Sequence, residues 1–236
     1  MGRPVLSAQR TKVNASRTLQ KYLKWAGDRR SPHWVFRGQS QPWPIKPLVG
    51  RTDLYSTDRE LALLSEFKRL CRPYLNGSLP RNNWDWLFIA QHHGLPTRLV
   101  DWTTNPLVAA FFAVQPSARE KKDGQVVALK VQDIPKANID DPKQDPFAIE
   151  KNYIVYPSAL ATRITTQRGL FSIHAEPKKA WKVKNDEDSF TFSASEKHEL
   201  QRLLHGIGLD KHFLMGDLDG LCNTLNWSFA NGIAFA

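Results

Sequence analysis

Two stretches of this chain hold side chains that could do chemistry. The first, "WVFRGQS" (34–40), is an apolar, strand-like run ending in Arg37 beside Gly38 and Gln39. The forked donors of a guanidinium match a phosphate or carboxylate. Such a strand either places Arg37 at a surface turn or aims a cation at something. The second is "AQHHGLPTRLVDWTTNPLVAAFFAV" (90–114), where Gln91, His92, His93, Thr97, Arg98, Asp101, Thr103, Thr104 and Asn105 fall between two apolar helical runs. Polar groups held between buried elements must be hydrogen-bonded, or each costs ~1–3 kcal/mol. They either bond one another and cap the helices, an Arg98–Asp101 pair being the ordinary case, or they form a site.

Other chemistries are disfavoured. There is no G-x-S-x-G, no Walker loop and no G-x-G-x-x-G. His92 and His93 are adjacent, and neighbours on a helix point ~100° apart, so they cannot easily grip one metal. A third ligand such as His174 or Asp101 would be needed, and no spacing specifies it. No metal is expected. Cys71 and Cys222, the two cysteines, are too far apart to suggest a disulfide framework or a zinc motif and are expected to be buried thiols.

The elements that must position these residues follow from periodicity. Residues 16–27 read as a helix with Ser16 as N-cap and Gly27 as stop. Residues 33–38 read as a short strand. Residues 56–75 read as a helix with Leu61, Leu64, Phe67 and Cys71 on one stripe, ended at Pro73. Residues 83–94 form a further helix with Gly94 at its C-terminus, and the polar stretch after it reads as a connector. Residues 103–116 form a helix capped by Asn105 with Pro106 in the first turn, apolar all round and so deeply buried. "GQVVALKVQ" (124–132) is the clearest strand, buried on both faces. "NYIVYP" is a candidate short strand, and residues 163–176 read as strand, Gly-containing turn, strand. Ser193 and Glu196 suggest a capping box opening a helix over 193–208, and residues 216–232 a last helix. Helices mix with short strands without regular βαβ alternation. The expected fold is therefore α+β, a single compact domain of mixed short-strand sheets packed with helices, with residues 1–30 a helical extension and 31–236 the domain itself.

The bulk properties agree. The chain has 236 residues, 41% hydrophobic, with eight Trp and twelve Phe, enough for a substantial core. No run approaches the ~20 apolar residues that span a bilayer, and the N-terminus has no apolar signal core. A cytoplasmic protein with no membrane partner is expected. The net charge of +10 favours acidic partners such as nucleic acid, a nucleotide or an acidic protein, without choosing among them. Its small basic clusters, 119–122 and 177–184, are equally well read as solvated surface.

"WVFRGQS", the Pro47-to-Arg51 stretch, "EFKRL", Trp84, the long central motif, "DGQVVALKV" and "RITTQRGLFSIH" together resemble the FRG-domain family, whose name is the Phe36-Arg37-Gly38 seen here. The likeness covers roughly residues 34–176, with a weaker echo in "GDLDGLCNTLNW". Members of that family occur in bacteria and phages, often in mobile or defence-related settings. The order of elements is also similar to ADP-ribosyltransferase-like folds: a strand bearing Arg for the dinucleotide, a Ser/Thr segment leading into an apolar helix, a central strand, and a later Glu or Gln. The resemblance implies an NAD-consuming enzyme, an ADP-ribosyltransferase or NAD glycohydrolase, acting as a toxin or antiphage defence effector. NAD would be its substrate. A nucleic-acid or protein acceptor, and a cognate antitoxin or phage trigger, would be its partners. Its catalytic residues would be Arg37, His92, His93, Asp101 and Gln167, with Phe36, Arg37, Gly38, Gln39, Gln91, Thr97, Arg98, Trp102 and Thr103 holding the dinucleotide. Gln167 stands where a Glu would better stabilise positive charge, which moves the acid to Glu176 or Asp101. A nuclease using His92 or His93 with Asp101, and a nucleotide- or phage-component-binding module without catalysis, remain open beside it.

Overall fold

Among the described residues, six short strands form one sheet, and seven α-helices pack on it. The computed structural model describes residues 3–75, 79–116, 122–157, 168–182 and 188–234. In chain order the elements are α1 (Arg3–Gly27), β1 (Trp34–Gln39), a 3₁₀ turn (Leu48–Arg51), α2 (Thr57–Leu70), a second 3₁₀ turn (Arg72–Tyr74), α3 (Asn83–His92), β2 (Leu99–Thr103), α4 (Pro106–Ala113), β3 (Gly124–Lys130), β4 (Tyr153–Val155), β5 (Gly169–Ile173), β6 (Ser189–Phe192), α5 (Lys197–Gly206), α6 (Lys211–Met215) and α7 (Leu218–Ala230). The strand order is β4-β5-β2-β1-β3-β6, and each of these strand pairs is antiparallel. This is the expected α+β domain. Among the described residues, no helix is long and apolar enough to cross a membrane.

The register sorts the side chains into two faces. Phe36 opposes Ala128 and Thr103, so Phe36, Gly38, Val126, Ala128 and Thr103 share one face. Helices α1, α4 and α5 cover part of this face through Tyr22, Val108, Phe111 and Leu200, which pack in one cluster with Phe192 of β6. Further along it, α2 and α3 cover Leu99, Phe171 and Ile173. On the opposite face Val35, Val100, Trp102, Val127 and Leu129 pack under loop residues Ile45, Ile134 and Trp181.

The pairing of the sheet is irregular at its centre. Strand β1 pairs with β3 along its whole length, from Trp34↔Lys130 to Gln39↔Gln125, yet meets β2 at the single pair Phe36↔Thr103. The two central strands therefore part beyond Phe36. Helix α4 lies close on the sheet beside this parting. A Cβ at Gly38 would stand 1.8 Å from the Ala109 carbonyl oxygen, and one at Gly124 2.0 Å from that of Ala113. Only glycine permits that approach. Asn105 caps α4 by accepting from the Leu107 N–H at 3.0 Å, with Pro106 in the first turn, as its sequence indicates.

Several elements differ from their sequence reading, each for a physical reason. The first helix is twice the expected length and belongs to the core on its inner side. Tyr22 is fully buried and donates to the Pro106 carbonyl at 2.5 Å; burial pushes its phenol well above the ordinary range. The stretch read as a polar connector contains strand β2. Its alternation is Val100 and Trp102 inward on one face and Asp101 exposed on the other, which five residues are too few to make plain. On α2 the buried stripe runs through Glu60, Leu64 and Cys71, and Leu61 is exposed, because a buried charge occupies the place assigned to leucine. Helix α5 starts at Lys197 without the capping box: Glu196 accepts instead from Thr18 Oγ1 at 3.0 Å, tying α1 to α5. Cys71 is buried, but Cys222 is exposed on α7. Strand β6 and helix α6 had no counterpart in the sequence reading; "SFTF" is too short for its period to stand out.

Candidate functional site

Where β1 and β2 part, a cleft of about 320 Å³ opens between the α4 layer and the C-terminal end of α3. Phe36, Arg37 and Gly38 of β1 line it, with Asp101, Trp102 and Thr103 of β2. Gln91 and Gly94 come from the end of α3, and Val108 and Phe112 from one side of α4.

Arg37 bridges the gap that the missing strand pairing leaves. Its Nη1 donates to the Asp101 carbonyl at 2.9 Å and lies 3.8 Å from the Asp101 carboxylate. Its Nε is 3.4 Å from Gln39 Oε1, and Gln39 in turn donates to the Trp43 carbonyl at 2.8 Å. The guanidinium thus takes the place of a ladder hydrogen bond on a carbonyl that would otherwise lack one. Burial pushes Arg37 below the ordinary range of an arginine; the nearby Asp101 carboxylate opposes this and the charge of Arg51 adds to it. Arg37 remains 17% exposed and Asp101 60% exposed, and both line the cleft.

Asp101 is held by a relay. Thr97 Oγ1 donates to Gln91 Oε1 at 2.6 Å, and Gln91 Nε2 donates to the Asp101 carboxylate at 2.8 Å. The Thr97 oxygen also accepts the Leu99 N–H at 3.1 Å, which ties the relay to the first residue of β2. The result is a cation and an oriented carboxylate side by side in a half-enclosed cleft. An arrangement of this kind can hold an anionic ligand and accept a hydrogen bond from its hydroxyl groups.

On the opposite face of β2, the Trp102 indole donates to Ser172 Oγ at 2.9 Å, and that hydroxyl lies 3.0 Å from His174 Nε2. His174 is buried against Trp181. Burial, and then the charge of Arg37, hold its imidazole down at about 4, so it is neutral near pH 7.

The expected site residues divide accordingly. Phe36, Arg37, Gly38, Gln91, Asp101, Trp102 and Thr103 come together around the cleft. Trp102 turns its ring to the other face. Gly38, whose far side the sequence reading leaves open, has that side filled by the α4 backbone. Gln39 and Thr97 do not line the cleft; they support Arg37 and Gln91 from behind. Arg98 departs most. It is 2% exposed and pairs not with Asp101 but with Glu60 of α2, Nη2 donating to Oε2 at 2.7 Å. Its Nη1 donates to the Pro146 carbonyl at 3.2 Å, and the Phe147 ring lies 4.7 Å from its Cζ, so it has no donor facing the cleft. The His92 and His93 rings touch edge to face at 4.8 Å near the end of α3, and neither lines the cleft. Glu176 is an exposed residue paired with Lys179. Gln167 lies outside the described residues. Among the described residues, no three His, Cys, Asp or Glu side chains group in a way that would hold a metal.

Sequence reasoning missed Gly94, Val108 and Phe112. The last two stand one helical turn apart on α4, a spacing that could have marked a common face.

Residues 32–122 match the family model described as FRG domain. That span takes in β1, α3, β2 and α4, the four elements whose residues line the cleft. No curated protein and no solved structure matches the chain.

Proposed function

With an FRG domain over residues 32–122 as the premise, we propose that the protein is an NAD-consuming enzyme, an ADP-ribosyltransferase or NAD glycohydrolase, whose dinucleotide lies in the cleft on Arg37. The observation that carries this reading is the pairing of Arg37 with Asp101 at the point where β1 and β2 part. Cleaving the nicotinamide–ribose bond passes through an oxocarbenium-like state, as glycoside cleavage does. It calls for a cation to hold the diphosphate and for an anion near the ribose. Arg37 supplies the first. Asp101, oriented by Gln91, supplies the second and is the better placed of the two carboxylates considered in place of Gln167. Thr103 and Thr104 lead directly into α4, the layout that an ADP-ribosyltransferase-like fold has after its Arg-bearing strand. Phe112 gives the cleft a ring for the flat nicotinamide to pack on. The family's settings support a role as a bacterial or phage toxin or defence effector, and the net charge of +10 suits a nucleic-acid acceptor.

A binding module without catalysis is the second reading. It is favoured by the positions of His92 and His93, since neither imidazole lines the cleft to serve as a general base. The same fact counts against a His/Asp nuclease.

The test is nicotinamide release from NAD⁺, alone and with DNA, RNA or cell lysate as acceptor. The wild type should release nicotinamide. Arg37→Ala should lower the rate by about 100-fold or more, as loss of a charge-stabilising donor does, with its circular dichroism unchanged. Absence of release under every condition would overturn the reading; nucleotide binding that needs Arg37, without release, would establish the binding module instead.

A further inference from the structure

The cationic character of the cleft does not end at Arg37. The 3₁₀ turn Leu48–Arg51 carries a second guanidinium, whose charge reaches Arg37. Arg51 Nε and Nη2 both donate to the Lys46 carbonyl, at 3.2 and 3.0 Å, and the Trp43 ring lies 6.0 Å from its Cζ. The Trp43 carbonyl is also the anchor of Gln39, on which Arg37 Nε rests. Both guanidiniums are therefore fixed through one connected support. Each senses Asp101, and Arg37 senses Arg51: after burial, Asp101 favours the charge on both, while Arg51 disfavours that on Arg37. One carboxylate, already accepting from Gln91, thus lies 3.8 Å from Arg37 and in the field of Arg51 as well. Donors are left over. Arg37 Nη2 and Arg51 Nη1 make no hydrogen bond among the described residues, and neither is a buried unsatisfied atom, so both are open to a ligand.

Arg51 also forms part of the wall of a second, larger hollow of about 520 Å³. This one is mostly apolar. Leu48, Leu54 and Leu63 line it at 45%, 64% and 37% exposure, with Pro96 and Tyr55 beside them and Arg59 on its wall. Exposed leucines grouped in a concave, cation-edged surface suit a flat, apolar-faced group attached to an anion. The turn that carries Arg51 is docked on the relay segment, with the Val49 N–H on the Thr97 carbonyl at 3.3 Å, so the hollow and the cleft belong to one framework.

We propose that Arg51 joins Arg37 in binding the diphosphate of a nucleotide, and that the hollow formed by Leu48, Leu54 and Leu63 seats the purine base at the adenylate end of that ligand. This rests on the reading of the cleft as a dinucleotide site and adds to it where the two halves lie: nicotinamide ribose by Asp101 and Phe112, adenylate beyond Arg51.

The test is calorimetric binding, which needs no turnover. The wild-type chain is titrated with ADP, inorganic pyrophosphate and nicotinamide mononucleotide. The wild type should bind ADP. Arg51→Gln should weaken both ADP and pyrophosphate by about tenfold or more, the worth of a charge-assisted hydrogen bond. Leu54→Ser combined with Leu63→Ser should weaken ADP by about tenfold while leaving pyrophosphate and nicotinamide mononucleotide within about twofold of wild type. No ADP binding by the wild type, or equal ADP affinity in Arg51→Gln, would overturn the proposal. So would a double-serine variant that loses pyrophosphate as badly as ADP, since the leucines would then serve only the fold. The two readings fail separately. If ADP binds with this pattern and NAD⁺ is never cleaved, the subsites stand and the enzyme reading falls. If NAD⁺ is cleaved and Arg51→Gln leaves KM unchanged, the enzyme reading stands and this one falls.

Discussion

Arg98 and Arg37 sit on neighbouring segments of the same sheet and have opposite fates. Arg98 immediately precedes β2 and is saturated: a carboxylate, a carbonyl, a tyrosine hydroxyl and an aromatic ring surround it, and both members of its ion pair are 2% exposed. Arg37 donates to the Asp101 carbonyl and to Gln39 Oε1 and lies 3.8 Å from an exposed carboxylate, and one of its nitrogens has nothing to bond among the described residues. A buried guanidinium with every nitrogen bonded holds the structure together. One lodged in an open cleft with donors to spare is set to bind. The difference lies in the neighbours each arginine meets, not in the arginine.

The sharpest way to break the comparison is to remove Glu60. Glu60→Ala leaves the Arg98 charge buried without its partner, which should cost about 3–5 kcal/mol. Urea unfolding would show this as a large drop in midpoint. A loss under about 1 kcal/mol would mean that Arg98 is not the structural member of the two.

Next in size is an acid effect centred on His174, which lies behind the cleft. Its imidazole is held at about 4 when folded, below the ordinary 6.5, so the unfolded chain binds a proton in this range that the folded chain does not. Stability is therefore full above about pH 6.5 and falls as the pH drops toward 4, by about 3 kcal/mol in all. Unfolding free energies measured across that window should follow this slope, and His174→Gln should flatten it. An unchanged slope in the variant would assign the effect to other groups. Because the Arg37 charge is the second cause of the shift, Arg37→Met should make the slope shallower.

The smallest expected effect is on stability in Arg37→Met itself. The variant loses a charge-assisted bond to a carbonyl, a long bond to Gln39 Oε1 and a partly exposed ion contact, together worth about 1–2 kcal/mol. Thermal melts of Glu60→Ala and Arg37→Met, run side by side, should therefore separate clearly. If Arg37→Met were as damaging as Glu60→Ala, Arg37 would be a strut between β1 and β2, and the contrast between the two arginines would collapse.

Much of this was legible in the chain. Asn105 and Pro106 announce the start of α4, and eight apolar residues in succession announce its burial, since these signals are local and do not depend on what packs against them. "GQVVALK" announces a strand covered on both sides for the same reason. The choice of Arg37, Gln91, Asp101 and Thr103 as one candidate set was likewise readable, because the resemblance pointed to them and they do meet. The role of Arg98 was not legible. Its partner Glu60 is 38 residues away on a helix face that looked apolar, and nothing local distinguishes Arg98 from Arg37. Nor was Gly38. Its neighbour is the Ala109 backbone, and that close approach exists only once α4 has packed.

The sequence by itself therefore determined the fold class, the identity of most elements, and which residues were chemically able to form a site, since period, caps and side-chain type act over a few residues. The tertiary structure alone decided which arginine became scaffold and which was left with free donors. It also decided that β1 and β2 would part to make a cleft, and that the charge of Arg51 would reach Arg37. Those outcomes depend on which partner reaches each charge and on whether a strand finds its full ladder, and both are set by contacts between segments far apart in the chain.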